Sequence, residues 1–171
     1  MKDNTENKIL KVLFSKPTHK FHIRELARET GLNPNTIINL TKNLEKEGLI
    51  KKEKKKHLVE IFLNFNSDKI FQKRKLFNLS VIQNSGLIEF LVKKYSPKSI
   101  TLLGSYSRGE DIENSDVDLV IDTSKKEIES LNKFEKILSR KIHLLILPKK
   151  ISDEFFNNLI NGVVLYGAIR K

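Results

Sequence analysis

The sequence contains no cysteine and no tryptophan, and it has only one methionine among its 171 residues. The absence of cysteine excludes disulfide bonds and thiolate metal sites. No run approaches the roughly 18 consecutive apolar residues that a membrane-spanning helix needs. Because the segment 1–8 is polar, we also expect no signal peptide. These absences lead us to expect a soluble, cytoplasmic protein without a membrane partner.

The net charge of +11 is distributed unevenly along the chain. Residues 1–98 contain 21 lysines and arginines against 10 acidic residues, whereas residues 99–171 contain 11 of each. This asymmetry indicates two modules, the first of which faces a polyanion. A lysine-rich solvated surface would produce the same excess, so the charge alone does not identify the partner.

The first part of the chain predicts three helices. Helical spacing of apolar residues predicts the first helix over residues 5–15. A short extended segment at Phe21 then precedes a second helix, which Gly31 ends. Asn33 followed by Pro34 is a start signal for a third helix, because Asn caps exposed backbone N–H groups and Pro fits the first helical position.

The third helix is expected to run to about Glu47, with Gly48 as its C-terminal cap. Its apolar face would be formed by Ile37, Leu40 and Leu44. Residues 49–57 and 58–63 then predict two strands joined at a charged tip.

This order of elements resembles the winged helix-turn-helix domains of bacterial and archaeal transcription regulators. The residues that carry the resemblance are Ile23, Leu26, Ala27, Gly31, Leu32, Asn35, Thr36, Ile37, Leu40, Leu44, Gly48, Leu49 and Ile50. The resemblance implies a domain over residues 1–66 that binds double-stranded DNA as a homodimer on paired half-sites.

In such domains the third helix reads base edges in the major groove, and the hairpin, or wing, contacts the DNA backbone. The implied DNA-binding residues are Asn33, Asn35, Thr36, Asn39 and Lys42 on the helix and Lys54, Lys55 and Lys56 on the wing. A protein-interaction or dimerisation module is the alternative interpretation of the same fold.

Apolar residues at helical spacing between residues 67 and 95 predict two further helices that meet near residues 84–86. We expect the first, over residues 67–84, to connect the two modules and to offer a surface for dimerisation. Phenylalanines in this stretch are interpreted as core residues.

A constellation of small and acidic residues lies between two apolar runs in the second module. Asp116 and Asp118 share one face of an extended strand, because side chains at i and i+2 point the same way. Paired carboxylates with an open side suit Mg²⁺, which binds a few carboxylates together with substrate phosphates. Gly104 and Ser105, directly after the preceding strand, offer backbone N–H groups and a hydroxyl to a phosphate. The pattern predicts a site for a metal-bound nucleoside triphosphate.

The rest of the second module predicts alternating helices and strands. We expect a helix over 125–140, a buried strand over 141–147 and a helix over 151–161. The inward residues of the helix over 125–140 would be Ile128, Leu131, Phe134, Ile137 and Leu138.

These elements resemble the minimal nucleotidyltransferase domain of the DNA polymerase β-like superfamily, over residues 85–171. The resemblance rests on Gly104-Ser105-x-x-Arg108-Gly109-Glu110, on Ser115-Asp116-Val117-Asp118-Leu119 and on Asn161-Gly162-Val163-Val164-Leu165-Tyr166. The expected fold class is therefore α+β: an N-terminal winged helix-turn-helix and a C-terminal small mixed sheet with flanking helices.

The resemblance also implies roles for individual residues. Gly104, Ser105 and Arg108 would bind the nucleotide, and Asp116 and Asp118 would bind Mg²⁺. The donor would be a nucleoside triphosphate, in the first place ATP, and the acceptor a hydroxyl of a protein or a small molecule. Minimal members of this family often act as antitoxins that adenylylate a toxin, and the fused DNA-binding domain suggests an autoregulator.

The chain departs from the family pattern at one position. The third carboxylate, which usually activates the attacking hydroxyl, is replaced by His143. An imidazole can accept a proton near neutral pH, which would retain His143 beside Asp116 and Asp118 as a catalytic residue. It is also a poor substitute for a carboxylate at Mg²⁺, which would leave a regulator whose degenerate domain only binds nucleotide. Both interpretations stay open at this stage.

Overall fold

The computed structural model describes residues 5–170. Residues 1–4 and 171, and with them the outer limits of the two expected domains, lie outside the described residues. The chain divides into two compact units, one ending at Arg74 and the other beginning at Lys75.

Between residues 5 and 67 the first unit forms three helices and a small antiparallel sheet. The helices are α1 (Thr5–Ser15), α2 (Ile23–Thr30) and α3 (Pro34–Lys46), and the strands are β1 (Phe21–His22), β2 (Ile50–Lys55) and β3 (Leu58–Leu63). The strand order is β1-β3-β2, with β2 and β3 forming the hairpin. Fully buried side chains fill the core between helices and sheet, among them Ile9, Leu13, Phe21, Leu26 and Ile37. This arrangement confirms the expected winged helix-turn-helix.

Local capping explains where α3 begins and ends. The Asn33 side chain accepts a hydrogen bond of 2.9 Å from the Asn35 backbone N–H, and Pro34 occupies the first helical position. Glu47 is the C-terminal cap, one residue before the expected Gly48, which follows in the left-handed region at φ +76°.

One residue of α3 that was expected in the core is less buried than the residue that follows it. Leu40 is only half-buried, whereas Thr41 is buried at 1% exposure. Thr41 is tolerated there because its hydroxyl donates a 2.7 Å hydrogen bond to the Ile37 carbonyl.

Two helices follow the hairpin, as expected, and meet close to Gly86. They are α4 (Asp68–Asn84) and α5 (Leu87–Tyr95), and the division between the two units falls inside α4. Gly86 adopts φ +74°, a left-handed conformation that glycine reaches without steric cost.

The second unit is a four-stranded mixed sheet with helices. Its strands are β4 (Ser99–Leu103), β5 (Val117–Asp122), β6 (Ile142–Ile146) and β7 (Val163–Gly167), and its helices after α5 are α6 (Gly104–Arg108), α7 (Asn132–Leu138) and α8 (Asp153–Ile160). The strand order is β6-β5-β4-β7, in which only the β5–β6 pair is parallel among the described strands. The α+β fold class is thereby confirmed.

The core of the second unit joins one face of this sheet to α5 and α7. Leu91, Ile100, Leu119 and Phe134 are buried in one cluster. After α8 the chain passes directly over β4: a Cβ at Gly162 would lie 2.5 Å from the Leu103 side chain. Glycine is therefore required at this contact.

The helix expected over residues 125–140 is wrong in its first half, because α7 covers only Asn132–Leu138. Tertiary hydrogen bonds keep the preceding backbone out of a helix. The Thr123 hydroxyl donates to the Tyr95 carbonyl, and the Tyr95 hydroxyl accepts from the Glu129 backbone N–H. Ile137, expected inside, is 53% exposed.

Strand β7 was not expected as a strand, although Val163–Gly167 is rich in residues that favour strands and is preceded by Gly162. The Gly-Ser turn expected after β4 is instead the beginning of the short helix α6. No helix within residues 5–170 is long and apolar enough to cross a membrane.

Candidate active site and nucleic-acid interface

Three adjacent strands bring the acidic pair and the histidine together. Asp118 pairs with Leu103 at the end of β4 and with His143 near the start of β6. Asp116 immediately precedes β5, two residues from Asp118, so both carboxylates point to the same side. The sequence correctly predicted this shared face, and it correctly placed His143 beside the pair.

The imidazole of His143 lies between the two carboxylates. Its Nε2 is 3.8 Å from Asp116 Oδ2, and its Nδ1 is 3.6 Å from Asp118 Oδ1. The His143 side chain is 73% exposed. The ring is therefore within ion-pair distance of both carboxylates and open enough to be reached from solvent.

The electrostatics of Asp118 reflect its position at the base of the site. Partial burial raises the pKa of this carboxyl above its usual value. His143 opposes this rise, because a positive imidazolium favours the carboxylate, whereas the negative charge of Asp116 adds to it. Asp118 is thus a carboxylate whose charge is disfavoured until a cation approaches.

The backbone of Gly104 lies directly against the Asp118 carboxylate. Its φ of +69° is left-handed, and a Cβ there would lie 2.4 Å from Asp118 Oδ2. The Ser107 hydroxyl donates a 2.7 Å hydrogen bond back to the Gly104 carbonyl and stabilises the first turn of α6. Only glycine permits the carboxylate to sit this close to the backbone.

A cavity of about 480 Å³ opens beside Asp118 and His143. Gly104, Ser107 and Arg108 line one side of it. The other lining residues come from the sheet and from α8 and its C-terminal end, and include Val120, Leu145, Phe155, Asn158 and Asn161. The cavity therefore combines charged and polar groups, from Asp118, His143, Arg108 and the asparagines of α8 and its C-terminal end, with apolar side chains that come mainly from the sheet.

Two expected nucleotide ligands differ in their surroundings. Arg108 lines the cavity, but its Nε also donates a 2.7 Å hydrogen bond to Glu110. Ser105 is half-buried and is not among the cavity-lining residues, whereas Ser107 is. The contribution of α8 was missed, since nothing in its sequence marks it as part of a site.

The donor set fits a hard cation that brings further ligands with it. Among residues 5–170 no group of three or more His, Cys, Asp or Glu side chains is arranged to hold a metal ion by itself. Asp118 lines the cavity and Asp116 lies two residues before it, and Mg²⁺ commonly completes its coordination with water and phosphate oxygens. The open side of the pair is consistent with that arrangement.

The predicted DNA-binding residues lie on α3 and the wing of the first unit. Asn35, Asn39 and Lys42 are exposed along α3, and Thr36 is half-buried. Asn33 is exposed as well, but its Oδ1 already accepts the capping hydrogen bond. The free polar groups of α3 therefore begin at Asn35.

The wing lysines fall into two classes. The ammonium group of Lys55 is 3.1 Å from Glu60 Oε2, so part of its charge is neutralised within the hairpin. Lys54 and Lys56 are exposed, and neither forms an ion pair with another residue in the described part of the chain. Lys56 sits at the turn with φ +51°.

A groove of about 840 Å³ in the same unit adds basic residues that sequence reasoning missed. Arg24 and Arg28 of α2 line it together with Pro34 at the start of α3 and His57 at the wing tip. Arg24 and Arg28 are four residues apart on one helix and both are exposed. Their spacing was a signal, but it was interpreted only as part of a helix.

Comparisons with known proteins agree with this geometry. Residues 85–166 match the family described as "Nucleotidyltransferase domain", and residues 2–51 match the family described as "Winged helix-turn-helix DNA-binding". Two proteins of Methanocaldococcus jannaschii, each named "Putative protein adenylyltransferase", are similar to this chain. One is 34% identical over 85 residues, which span 46% of this chain and 84% of that protein. The other is 40% identical over 81 residues, which span 44% and 82%. No solved structure matches the chain.

Proposed function

The chain belongs to the nucleotidyltransferase family and carries an N-terminal winged helix-turn-helix DNA-binding domain, and from this premise we propose that it transfers a nucleoside monophosphate to a protein hydroxyl. The observation that supports this most directly is the intact pair Asp116 and Asp118, of which Asp118 lies against Gly104 and lines the cavity.

Asp116 and Asp118 are the residues that would hold Mg²⁺. When bound, the cation would neutralise charge on the phosphate oxygens of the donor. Gly104 leaves room for the Asp118 carboxylate, and the backbone N–H groups at the start of α6 would donate to the phosphates of the proposed nucleotide. Arg108 adds a positive charge on the same side, and Ser105 remains a proposed phosphate contact.

In the proposed reaction the acceptor hydroxyl oxygen forms a bond to the α-phosphorus of the nucleotide. The bond from that phosphorus to the bridging oxygen breaks, and pyrophosphate leaves with the bonding electrons. The hydroxyl proton passes to a ring nitrogen of His143, which lies within 4 Å of both carboxylates.

A protein acceptor and an ATP donor are supported by two features. His143 is exposed on β6, which is an edge strand of the described sheet, so a large acceptor can reach it. The two relatives carry the name "Putative protein adenylyltransferase". We further propose that the acceptor is a toxin-like protein and that the winged helix, as a homodimer, binds DNA to autoregulate expression.

Incubation with ATP labelled at the α-phosphate, Mg²⁺ and purified candidate acceptors tests this proposal. Label should pass covalently to a protein hydroxyl, and Asp116→Ala/Asp118→Ala should abolish it. The acceptors to test first are small proteins encoded beside this chain. Transfer no greater than that of the double variant would refute the proposed activity.

A second function is favoured by the imidazole at the position of the third carboxylate. The protein would then be a DNA-binding regulator whose nucleotidyltransferase domain binds nucleotide without transferring it. His143→Asp separates the two functions. A gain of transfer in this variant would identify the native site as degenerate, whereas loss of an existing activity would establish that His143 takes part in the reaction.

A further inference from the structure

The loop that carries Asp116 has no regular secondary structure to hold it. It runs from Gly109, the C-terminal cap of α6, to Asp116, immediately before β5. Asp116 and Asp118 repel each other when both are charged, so an unrestrained loop would let Asp116 move away. A buried group of polar side chains, which we call the Arg140 cluster (Asn78, Asp111 and Arg140), contacts this loop.

The guanidinium group of Arg140 contacts three residues of this loop. Its side chain is 8% exposed, and its Nη2 is 3.3 Å from Asp111 Oδ2. Its Nη1 donates to the Ile112 carbonyl and, at 3.4 Å, to the Ser115 carbonyl. The last of these acceptors belongs to the residue directly before Asp116.

Asp111 ties the same loop to α4 and α6. It is 1% exposed, and its Oδ1 accepts a 2.7 Å hydrogen bond from Asn78 Nδ2. Asn78 Nδ2 also donates to the Tyr106 carbonyl in α6 at 3.0 Å. The cluster therefore links the helix that begins at Gly104 to the loop that ends at Asp116.

Arg140 itself is held in a defined place by the end of α7 and the start of β6. Its backbone N–H bonds to the Glu135 carbonyl at 3.1 Å, after Ser139 in the left-handed conformation. The next residue, Lys141, accepts a 2.8 Å hydrogen bond from the Val117 backbone N–H. Arg140 thus stands three residues before His143 on a segment already paired with β5.

We propose that Arg140 is a positioning residue that sets the distance of Asp116 from Asp118 and His143, and through it the affinity of the site for a divalent cation. Arg140 does not line the cavity beside Asp118 and His143, so it acts on that site through Ser115 and Asp116. This inference rests on the metal-binding part of the proposed function. Loss of a group that orients metal ligands commonly weakens metal binding about 10- to 100-fold.

The test compares Mn²⁺ binding by the full chain with Arg140→Lys and with Arg140→Gln, by calorimetric titration without nucleotide. Lys keeps a cation next to Asp111, but one ammonium cannot span Asp111 and two carbonyls. We expect affinity to fall about 10- to 100-fold in Arg140→Gln and by less in Arg140→Lys. Backbone amide exchange at Asp116, measured without metal, should accelerate in the same order.

Tyr95→Phe is the control for stability alone. It removes the hydrogen bond that the Tyr95 hydroxyl accepts from the Glu129 backbone N–H, and neither residue belongs to the Arg140 cluster. It should lower the unfolding temperature and leave Mn²⁺ affinity unchanged. Wild-type affinity and unchanged Asp116 exchange in Arg140→Lys would overturn the inference, as would the absence of saturable Mn²⁺ binding by the wild type. If Arg140→Gln does not fold, Arg140→Lys decides. Mn²⁺ binding without any nucleotidyl transfer would instead refute the proposed activity and leave this inference standing.

Discussion

The two units place their functional residues in opposite ways. In the winged unit the candidate DNA contacts, all exposed except the half-buried Thr36, are spread over α3 and a wing. In the nucleotidyltransferase unit the ring nitrogens of His143 lie within 4 Å of the Asp116 and Asp118 carboxylates. A surface of many similar contacts should lose function gradually, whereas a site of two carboxylates and one imidazole should lose it at once. Single substitutions can therefore test the contrast.

The largest effect is expected from Asp118→Asn. It removes a proposed metal ligand, and metal stabilisation of transferring phosphoryl charge amounts to several kcal/mol. A loss of about 4 kcal/mol corresponds to roughly a 10³-fold lower transfer rate. Steady-state transfer of labelled nucleotide measures it, and DNA affinity should stay unchanged.

Asp122→Asn is the matched control for that variant. Asp122 is on the same strand, opposite Ser99 at the far end of β5. It should retain transfer within about twofold, because surface changes away from the site shift free energies by only about 0.5 kcal/mol. Equal losses in both variants would mean that β5 contributes through stability rather than through its acids.

Gly104→Ala should have the next largest effect, and Gly86→Ala is its internal control. Both glycines are left-handed, at φ +69° and +74°, so each alanine costs about 1–2 kcal/mol of stability. Only at Gly104 would the new Cβ meet a side chain, Asp118 Oδ2 at 2.4 Å; at Gly86 it meets nothing within 4 Å. Thermal unfolding should show similar losses, while Mn²⁺ affinity should fall only in Gly104→Ala. Equal Mn²⁺ affinity would contradict the close contact.

The accuracy of the sequence predictions differed between the units for a physical reason. The helices of the winged unit are specified by neighbours in sequence: Asn33 caps α3 through Asn35, two residues away. Helix α7 starts later than expected because Tyr95, 34 residues away, binds the Glu129 backbone. A prediction from the spacing of residues takes account of interactions between near neighbours in the sequence, but it misses interactions between residues that are far apart in the sequence.

The same distinction applies to the candidate site. The Asp116 and Asp118 pair follows from a spacing of two on one strand, and His143 from the expected order of elements. The cavity wall from α8 and the Arg140 cluster join segments far apart in sequence, such as Arg140 and Asp111. Such groups carry no local signal, so they are found only when the strands are assembled.

A smaller effect is expected from Lys54→Ala in the wing. Each phosphate contact contributes a slope of about −0.9 to log K against log salt, which at about 150 mM salt corresponds to roughly fivefold in affinity. Fluorescence titration against duplex DNA at several salt concentrations should show both changes. Lys126→Ala, an exposed lysine of the other unit, removes the same charge and should change neither. Equal losses in the two variants would indicate a general charge effect.

The smallest effects are shifts in the titration of Asp118, which its two neighbours should move in opposite directions. His143 lowers the pKa of Asp118 and Asp116 raises it. His143→Gln should therefore raise the pKa of Asp118 further, and Asp116→Asn should lower it. Carbon-detected NMR of the Asp118 carboxyl measures both without any metal or substrate. Shifts of the same sign would contradict the arrangement of the three side chains.

The sign of the accompanying stability change follows from the raised pKa. A carboxyl whose pKa is higher in the folded state favours folding when protonated. That contribution is present below the unfolded pKa and is lost as the pH rises through the folded value. The metal-free protein should thus gain stability from Asp118→Asn at neutral pH, where the wild-type carboxylate is partly buried and charged. Mn²⁺ should reverse the order, because it binds the charged form. In the winged unit, by contrast, the contribution of the lysines to DNA affinity should depend on salt concentration rather than on pH. If the stability difference between wild type and Asp118→Asn depended on neither pH nor Mn²⁺, Asp118 would not be part of the cation site.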